Sequence, residues 1–265
     1  METNKIDNLE EDTEDININS LFQPHFVQCS SRIGGIEIQF VQSQASSTDY
    51  DQTGQVLWRV SNIFVQFLLN FPRIVEKRNI LELGSGTTGF GCVSSLLLGA
   101  NKGVCSDGQE ELTILCERTL ELNGLREKGS SVHLRWGDSE QLMKVINEHL
   151  IDEKGQGKVD VVIGCDVCVW EEFIHPLFQT AVEAISFGKQ QKELEQERIG
   201  SSKKQAPLII FAFERRALRP EKKMDEISKQ FKLERIRFTK KDIFISSEIP
   251  PTFLNTEFFI DVYFT

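Results

Sequence analysis

The sequence predicts an α/β fold: a seven-stranded, mostly parallel sheet with helices packed around it. Three observations lead to this prediction. Short apolar strands alternate with helical segments from residue 79 onward, and a glycine-rich turn follows the first of these strands. A continuous apolar run at 207–213 is typical of a strand buried on both faces. Two strand-like runs follow near the end, so we expect an antiparallel hairpin strand at the sheet edge.

The individual elements follow from apolar spacing and from the positions of glycine and proline. Strands are expected at 80–83, 102–107, 131–136, 159–166, 207–213, 233–238 and 257–264. Helices are expected at 91–98, 110–123, 141–150, 173–187 and 220–231. Before this core, Gly34-Gly35 lies between two alternating runs within 26–42, which predicts a hairpin. A helical stretch over 60–69 then completes an N-terminal hairpin and helix cap.

Composition divides the chain into a tail and one domain. Residues 1–20 are acidic and have few large apolar side chains, so we expect them to be disordered. Residues 21–265 are long enough for a single α/β domain, with the cap at 21–78 and the core at 79–265. The almost wholly polar stretch 188–205 is expected to be a solvated helix extension followed by a flexible insertion.

Charge and composition exclude several classes of protein. The net charge of −10 argues against a sequence-tolerant nucleic-acid binder, which would rely on a basic surface. No apolar run approaches the ~20 residues of a membrane span. The acidic N-terminus lacks the character of a signal peptide or presequence, so we expect a cytoplasmic or nuclear protein. The six cysteines are then expected to be free thiols, and a monomer is the default.

The turn after the first core strand is the most informative stretch. Glycines in Gly84-Ser85-Gly86 let the backbone turn sharply and approach a ligand, with helix N–H groups aimed at it. A Gly-x-Gly-x-x-Gly pattern alone fits a nicotinamide or flavin site equally well. Glu82, two positions before the first glycine, would repel a pyrophosphate but suits a cation. The turn therefore favours a cationic ligand over a dinucleotide.

Three further sites follow successive strands and should lie at the same sheet edge. Asp107 could accept both hydroxyls of a ribose. Trp136 could lie beside an adenine and Asp138 could accept from its amino group. Cys165 and Asp166 would face a substrate. Taken singly, each aspartate could equally be a helix N-cap and the tryptophan a core residue. Their order and spacing favour a ligand site.

These motifs resemble those of the class I, seven-β-strand methyltransferases. Leu81-Glu-Leu-Gly-Ser-Gly86 is similar to their first motif. A narrower resemblance is to the methyltransferase-like protein-lysine methyltransferases, and it covers roughly 26–264. The residues that carry it are Gly54 to Trp58, Asp107 with Asn123, Trp136-Gly137, and Phe211-Ala-Phe-Glu-Arg-Arg216.

The resemblance implies a Rossmann-like fold and S-adenosylmethionine as methyl donor, with a protein substrate such as a translation factor or chaperone. It implies that Asp166 would bind and orient the incoming amine. Trp170 is not part of the family pattern, but it follows directly after the position of the family tyrosine and is expected to supply an aromatic wall. The implied cofactor-binding residues are Trp58, Glu82, Gly84, Ser85, Gly86, Asp107, Trp136 and Cys165.

The sequence departs from the family pattern after the fourth strand. The family places a tyrosine three residues after the acid, and here that residue is Val169. Arg135 also stands where an acid is common. Methylation of arginine or of a small molecule therefore stays open, as does a non-catalytic interaction module. A dehydrogenase is disfavoured by Glu82. Cys165 and Cys168 form a C-x-x-C, but zinc would need two more ligands at suitable spacing, so no metal is expected.

Overall fold

We describe the fold from a computed structural model of the chain. The structure describes residues 26–44, 53–152, 155–196, 205–244, 251–253 and 255–265. The predicted tail at 1–20 and residues 197–204 of the predicted insertion lie outside the described residues. None of the described helices is both long and apolar enough to cross a bilayer.

The described residues form two sheets and a set of flanking helices. The strands are β1 (Phe26–Ile33), β2 (Ile36–Ser43), β3 (Asn79–Leu83), β4 (Lys102–Asp107), β5 (Gly129–His133), β6 (Val161–Cys165), β7 (Leu208–Glu214), β8 (Glu234–Phe238) and β9 (Phe258–Phe264). The α-helices are α1 (Arg59–Asn70), α2 (Phe90–Leu97), α3 (Glu110–Leu122), α4 (Ser139–His149), α5 (Glu171–Gln196), α6 (Leu218–Gln230) and α7 (Lys240–Ile243).

The main sheet has seven strands in the order β5-β4-β3-β6-β7-β9-β8. All neighbouring pairs are parallel except those made by β9, which runs antiparallel to both β7 and β8. The predicted sheet is confirmed, and its antiparallel strand lies one place in from the edge. From β3 the chain adds β4 and β5 on one side and then returns to add β6 and β7 on the other side, so the order of the strands reverses at β3. Ligands of such folds bind at the carboxyl ends of the strands on either side of this reversal.

The N-terminal hairpin forms as predicted and packs against helix α3 of the core. β1 and β2 pair along their whole length around the turn at Gly34 and Gly35, which both have positive φ. The Asn123 side chain accepts a hydrogen bond from the backbone N–H of Gln39 at 3.1 Å and donates one to its carbonyl at 2.6 Å. Because Asn123 caps the end of α3, the hairpin is tied to the main sheet through that helix.

Several element boundaries differ from the predicted ones, and three of them are informative. β5 covers Gly129–His133 and ends before the predicted residue 136, because its partner β4 ends at Asp107, whose carbonyl accepts the last ladder hydrogen bond from the N–H of Leu134. α5 continues through the first part of the polar stretch to Gln196. α6 begins at Leu218, since a proline is tolerated in the first turn of a helix.

The far edge of the sheet contains a buried ionic network that the sequence did not reveal. The Asp261 side chain on β9 is fully buried. Its two oxygens accept hydrogen bonds from Nε and Nη2 of Arg237, both at 2.7 Å. Arg235 lies 3.3 Å from the same carboxylate, and both arginines come from β8. These pairs hold β8 against β9 because a buried carboxylate needs such partners.

Candidate functional site

A cavity of about 670 Å³ opens at the carboxyl ends of β3, β4, β6 and β7. This volume falls within the range that holds a small-molecule cofactor. The structure brings ten of the residues predicted for the site into its wall: Trp58, Glu82, Gly84, Ser85, Gly86, Asp107, Trp136, Cys165, Asp166 and Trp170. Their individual roles stay predictions.

The glycine turn is shaped by two close approaches. Gly84 has φ of 71°, and a Cβ there would lie 2.6 Å from Cγ1 of Val167. Gly86 has φ of 55°, and a Cβ there would lie 2.4 Å from the carbonyl oxygen of Gly54. That same carbonyl accepts a hydrogen bond from the backbone N–H of Thr87 at 2.8 Å. The segment before α1 therefore closes over the turn, and no larger residue fits either glycine position without displacement.

The Glu82 carboxylate connects the cavity to the start of α2. Its oxygens accept hydrogen bonds from the backbone N–H groups of Gly91 at 3.0 Å and Cys92 at 2.8 Å. Burial raises the pKa of Glu82 from 4.5 to about 7, against the opposing effect of these two hydrogen bonds. Glu82 therefore supports the helix N-terminus and places a titratable group in the cavity wall, where a cation would favour its charged form.

Asp107, at the end of β4, is held by backbone donors on either side. It accepts hydrogen bonds from the N–H groups of Gly86 at 2.9 Å and Gln109 at 3.0 Å. Burial raises its pKa, while these hydrogen bonds and the nearby His133 act in the opposite direction. A carboxylate has about four acceptor positions and Asp107 takes three backbone donors, the third being Gly108, so one position remains for a hydroxyl group of a ribose.

Aromatic side chains make up much of the remaining wall. The Trp58 indole is fixed by a hydrogen bond from Nε1 to the carbonyl of Thr53, at 2.8 Å. Trp136 packs edge-on against Phe173 of α5, with ring centroids 6.5 Å apart. Trp170 immediately precedes α5 and also lines the cavity, as does Val169 in the place of the family tyrosine. These rings offer flat apolar surfaces for an adenine and for an aliphatic chain.

Asp166, at the end of β6, is already paired with a cation from its own chain. Its two oxygens accept hydrogen bonds from Arg216, one of them from Nη1 at 2.7 Å and the other from Nη2. The Asp166 side chain is only 3% exposed, and its backbone has φ of 60°. The guanidinium of Arg216 also lies over the Trp58 ring, 5.2 Å from its centroid. The sequence had suggested that this carboxylate faces the substrate, and it gave no sign of the pairing with Arg216.

Arg216 is the main cavity residue that sequence reasoning missed. It lies two residues beyond the end of β7, in a motif that the sequence analysis noted for its resemblance without giving Arg216 a role in the site. Extending the rule that ligand residues follow the carboxyl ends of parallel strands to β7 would have found it. Gly54 and Phe173 also line the cavity. Gly54 begins the segment to Trp58 that carried the resemblance, whereas nothing in the sequence around Phe173 indicated the site.

Asp138, which the sequence also offered as a candidate for the site, has another place in the structure. Asp138 caps α4 by accepting a hydrogen bond from the backbone N–H of Gln141 at 2.9 Å, and it does not line the cavity. The N-cap alternative therefore accounts for it. The six cysteines are free thiols. Within the described part of the chain, no group of three or more histidine, cysteine or acidic side chains could hold a metal ion.

The fold and the cavity together define a Rossmann-like protein with a carboxylate-lined ligand site. Residues 41–194 match the family model described as lysine methyltransferase, and the chain belongs to that family. Membership confirms the resemblance drawn from the sequence and, with it, the expected methyl donor, S-adenosylmethionine.

Two curated relatives and one solved structure are similar to this chain. Protein-lysine N-methyltransferase EFM3 of Chaetomium thermophilum is 30% identical over 57% of this chain and 45% of its own length. Calmodulin-lysine N-methyltransferase of Arabidopsis thaliana is 27% identical over 49% of this chain and 40% of its own length. SMU.776, solved with SAH, superposes over 94% of this chain and 58% of its own, with a TM-score of 0.53 and 12% identity. The matches to the curated relatives span less than half of their lengths.

Proposed function

We propose that this protein transfers a methyl group from S-adenosylmethionine to a lysine side chain of a protein substrate. The observation that carries the proposal is the convergence of Glu82, Asp107 and Asp166 in one cavity at the ends of neighbouring strands. Three carboxylates suit a methyl donor that carries a ribose and a positive charge. They also suit an acceptor side chain that enters the site as a cation. Membership of the lysine methyltransferase family agrees with this chemistry.

The cavity wall fits the methyl donor. The two tight glycines let Val167 and Gly54 pack against the turn that borders the cavity, and the Asp107 carboxylate keeps a free acceptor position. In this proposal Asp107 holds the ribose, Trp136 lies beside the adenine, and Trp58 and Glu82 lie near the methionine part. Ser85 and Cys165 complete the contact surface. When bound, the cofactor supplies the methyl group on a positively charged sulfur.

The residues of the chain have to prepare the acceptor. A free lysine has a pKa near 10.4, so removing its proton at pH 7 costs about 4–5 kcal/mol. Asp166 would orient the incoming amine, and the aromatic wall around Trp170 would exclude water and lower the amine's pKa. The carboxylate by itself raises that pKa, so the proton would leave to solvent or transiently through Asp166 before the amine takes the methyl group from the sulfur, which becomes a neutral thioether. Positioning of the amine beside the methyl group supplies the remaining gain. Trp170 takes the place of the missing tyrosine as the aromatic neighbour of the acceptor.

The proposal is tested by binding and by transfer. Purified protein titrated with S-adenosylhomocysteine and, separately, with NADH should bind only the former, in the micromolar range. Labelled methyl donor should then mark a protein in a lysate, and lysine should be the modified residue. Asp166→Ala should abolish labelling while cofactor affinity stays nearly unchanged. Labelled arginine or a labelled small molecule would favour the alternatives left open by Val169.

A non-catalytic binding module is the competing proposal from another class. It would bind S-adenosylhomocysteine with the same affinity and label nothing in any lysate. The names of the two relatives favour catalysis on a protein lysine and guide the choice of substrates, with calmodulin the first to test. A translation factor or chaperone substrate, a monomeric state and a cytoplasmic or nuclear location stay predictions from the sequence.

A further inference from the structure

We propose that Arg216 occupies the position beside Asp166 that the amino group of the target lysine takes during the reaction. When a substrate enters, Arg216 moves from Asp166 to the carboxylate of Glu214. This inference rests on the proposed function, since it concerns the acceptor side of the same cavity. It makes Arg216 a residue that determines specificity, because every acceptor has to displace it.

The surroundings of Arg216 are those that a lysine ammonium would seek. A buried carboxylate, Asp166, receives two hydrogen bonds from the guanidinium, and the Trp58 ring lies beneath it. A carboxylate and an aromatic face are the two groups that attract a cationic side chain in a partly dry site. Asp166 is too buried to hold a second cation beside Arg216 without losing a hydrogen bond to the first.

A second position for Arg216 already exists within reach. Oε2 of Glu214 lies 3.7 Å from Nη2 of Arg216, while Oε1 is 3.0 Å from Arg59. The Arg216 side chain is 37% exposed, so it is free to swing on the solvent side. A short movement would therefore exchange one carboxylate partner for another, and the arginine would not be left without a counter-charge.

This exchange would favour acceptors that bind through more than their amine. The apparent affinity of a ligand falls by the fraction of the protein in which its site is open. An isolated amine has to displace Arg216 with its own contacts alone. A lysine on a docked protein gains additional contacts over the surface, and these can offset the displacement. The arrangement therefore predicts poor binding of small amines and selection for a protein acceptor.

The test measures binding of a small amine without any methyl transfer. Protein saturated with S-adenosylhomocysteine is titrated with n-butylamine, which carries the amino group and four-carbon chain of lysine. The indole N–H signal of Trp58, assigned with Trp58→Phe, reports occupation of the site by NMR. Arg216→Met should bind butylamine at least about tenfold more tightly than the unaltered chain. Asp166→Asn added to Arg216→Met should remove that gain.

Two further variants separate this effect from a general change of charge. Arg219→Met removes the same charge from an exposed arginine three residues away, which forms no ion pair with any described residue, and should leave butylamine affinity unchanged. Glu214→Gln removes the second position of Arg216 and should weaken butylamine binding several-fold. Affinity for S-adenosylhomocysteine verifies that each variant is folded.

Several results would overturn the inference. Equal butylamine affinity in Arg216→Met and the unaltered chain would do so, and so would an equal gain in Arg219→Met. If Arg216→Met fails to fold, unchanged affinity in Glu214→Gln is sufficient. Lysate labelling judges the proposed function independently: tighter butylamine binding without any labelled protein would reject catalysis and leave the role of Arg216 standing.

Discussion

Asp107 accepts a hydrogen bond from the backbone N–H of Gly86 at 2.9 Å, which ties the end of β4 to the glycine turn after β3. The carboxylate that should bind the ribose therefore also fixes the turn against which the ligand lies. Because one side chain has both tasks, its removal should affect ligand affinity more than the loss of a ligand contact alone would suggest.

Asp107→Ala should weaken binding of S-adenosylhomocysteine by about 10- to 100-fold, since hydrogen bonds to a charged group contribute about 1.5–3 kcal/mol. Isothermal titration measures the change. Asp138→Ala is the matched control, because Asp138 caps α4 outside the cavity wall. The control should lose about 1 kcal/mol of stability and no ligand affinity. Equal ligand affinity in both variants would disprove the ribose role.

Glu82 should make stability fall as the pH rises. Its pKa is about 7 in the folded chain, against an ordinary value of 4.5, so the folded state holds an extra proton between these values. The contribution is complete below pH 4.5 and is lost by about pH 7, a change of about 3 kcal/mol. Denaturant unfolding across this range should give a flatter profile for Glu82→Gln, and an identical profile would contradict the assignment.

The same group predicts proton release when the methyl donor binds. A cation near Glu82 favours the charged carboxylate and lowers its pKa, so binding near pH 7 should expel part of a proton. Calorimetric titrations in buffers with different ionisation enthalpies measure that fraction. Glu82→Gln should bind with no such release. A buffer-dependent heat that persists in the variant would assign the proton to another residue.

Gly86→Ala should destabilise the chain and weaken cofactor binding. A Cβ at this position meets the carbonyl oxygen of Gly54 at 2.4 Å, and the backbone has positive φ. Gly124→Ala is the control, since its φ of 67° is similar but nothing lies within 4 Å of the added carbon. Gly124→Ala should lose about 1–2 kcal/mol for its backbone conformation alone. Denaturant unfolding should show a clearly larger loss for Gly86→Ala.

Asp261→Asn should lower the free energy of unfolding by about 1.5–3 kcal/mol, because it removes the charge-assisted hydrogen bonds of Arg237 and an ion pair of Arg235, while Glu221 and Asp225 remain as their other partners. The control is Glu37→Gln, which breaks an ion pair between two largely exposed side chains. That loss should stay below about 1 kcal/mol. A small effect of Asp261→Asn would mean that the network adds little to the stability of β8.

Sequence patterns anticipated most of this fold because its elements are local and periodic. The strand before Gly84 and the buried strand β7 both appear where apolar runs predicted them. Strand β5 was predicted to extend too far, to residue 136, since its end depends on where its partner β4 ends, which no pattern local to β5 encodes. The short helix α7 was not predicted, although Thr239 and Asp242 form a capping box there.

The sequence predicted many of the residues that line the site, but it did not predict which of their side chains hydrogen-bond to one another. Motif spacing placed Asp107 and Asp166 at one sheet edge, and the structure does so. It could not show that Arg216, 50 residues beyond Asp166, pairs with it. Nor could it show that Glu82 accepts two helix N–H groups, because such contacts depend on how the helix is set against the strand.

The contact between Gly54 and Gly86 makes the N-terminal cap part of the cavity wall. If closing of this contact strengthens binding of the methyl donor, then binding of the donor strengthens the contact by the same free energy. If the methyl donor favours the closed turn, then the hairpin should become harder to open when the cavity is filled, and amide exchange along β2 would report occupancy. By the same coupling, a partner that binds to this hairpin would change the affinity for the methyl donor without contacting the cavity.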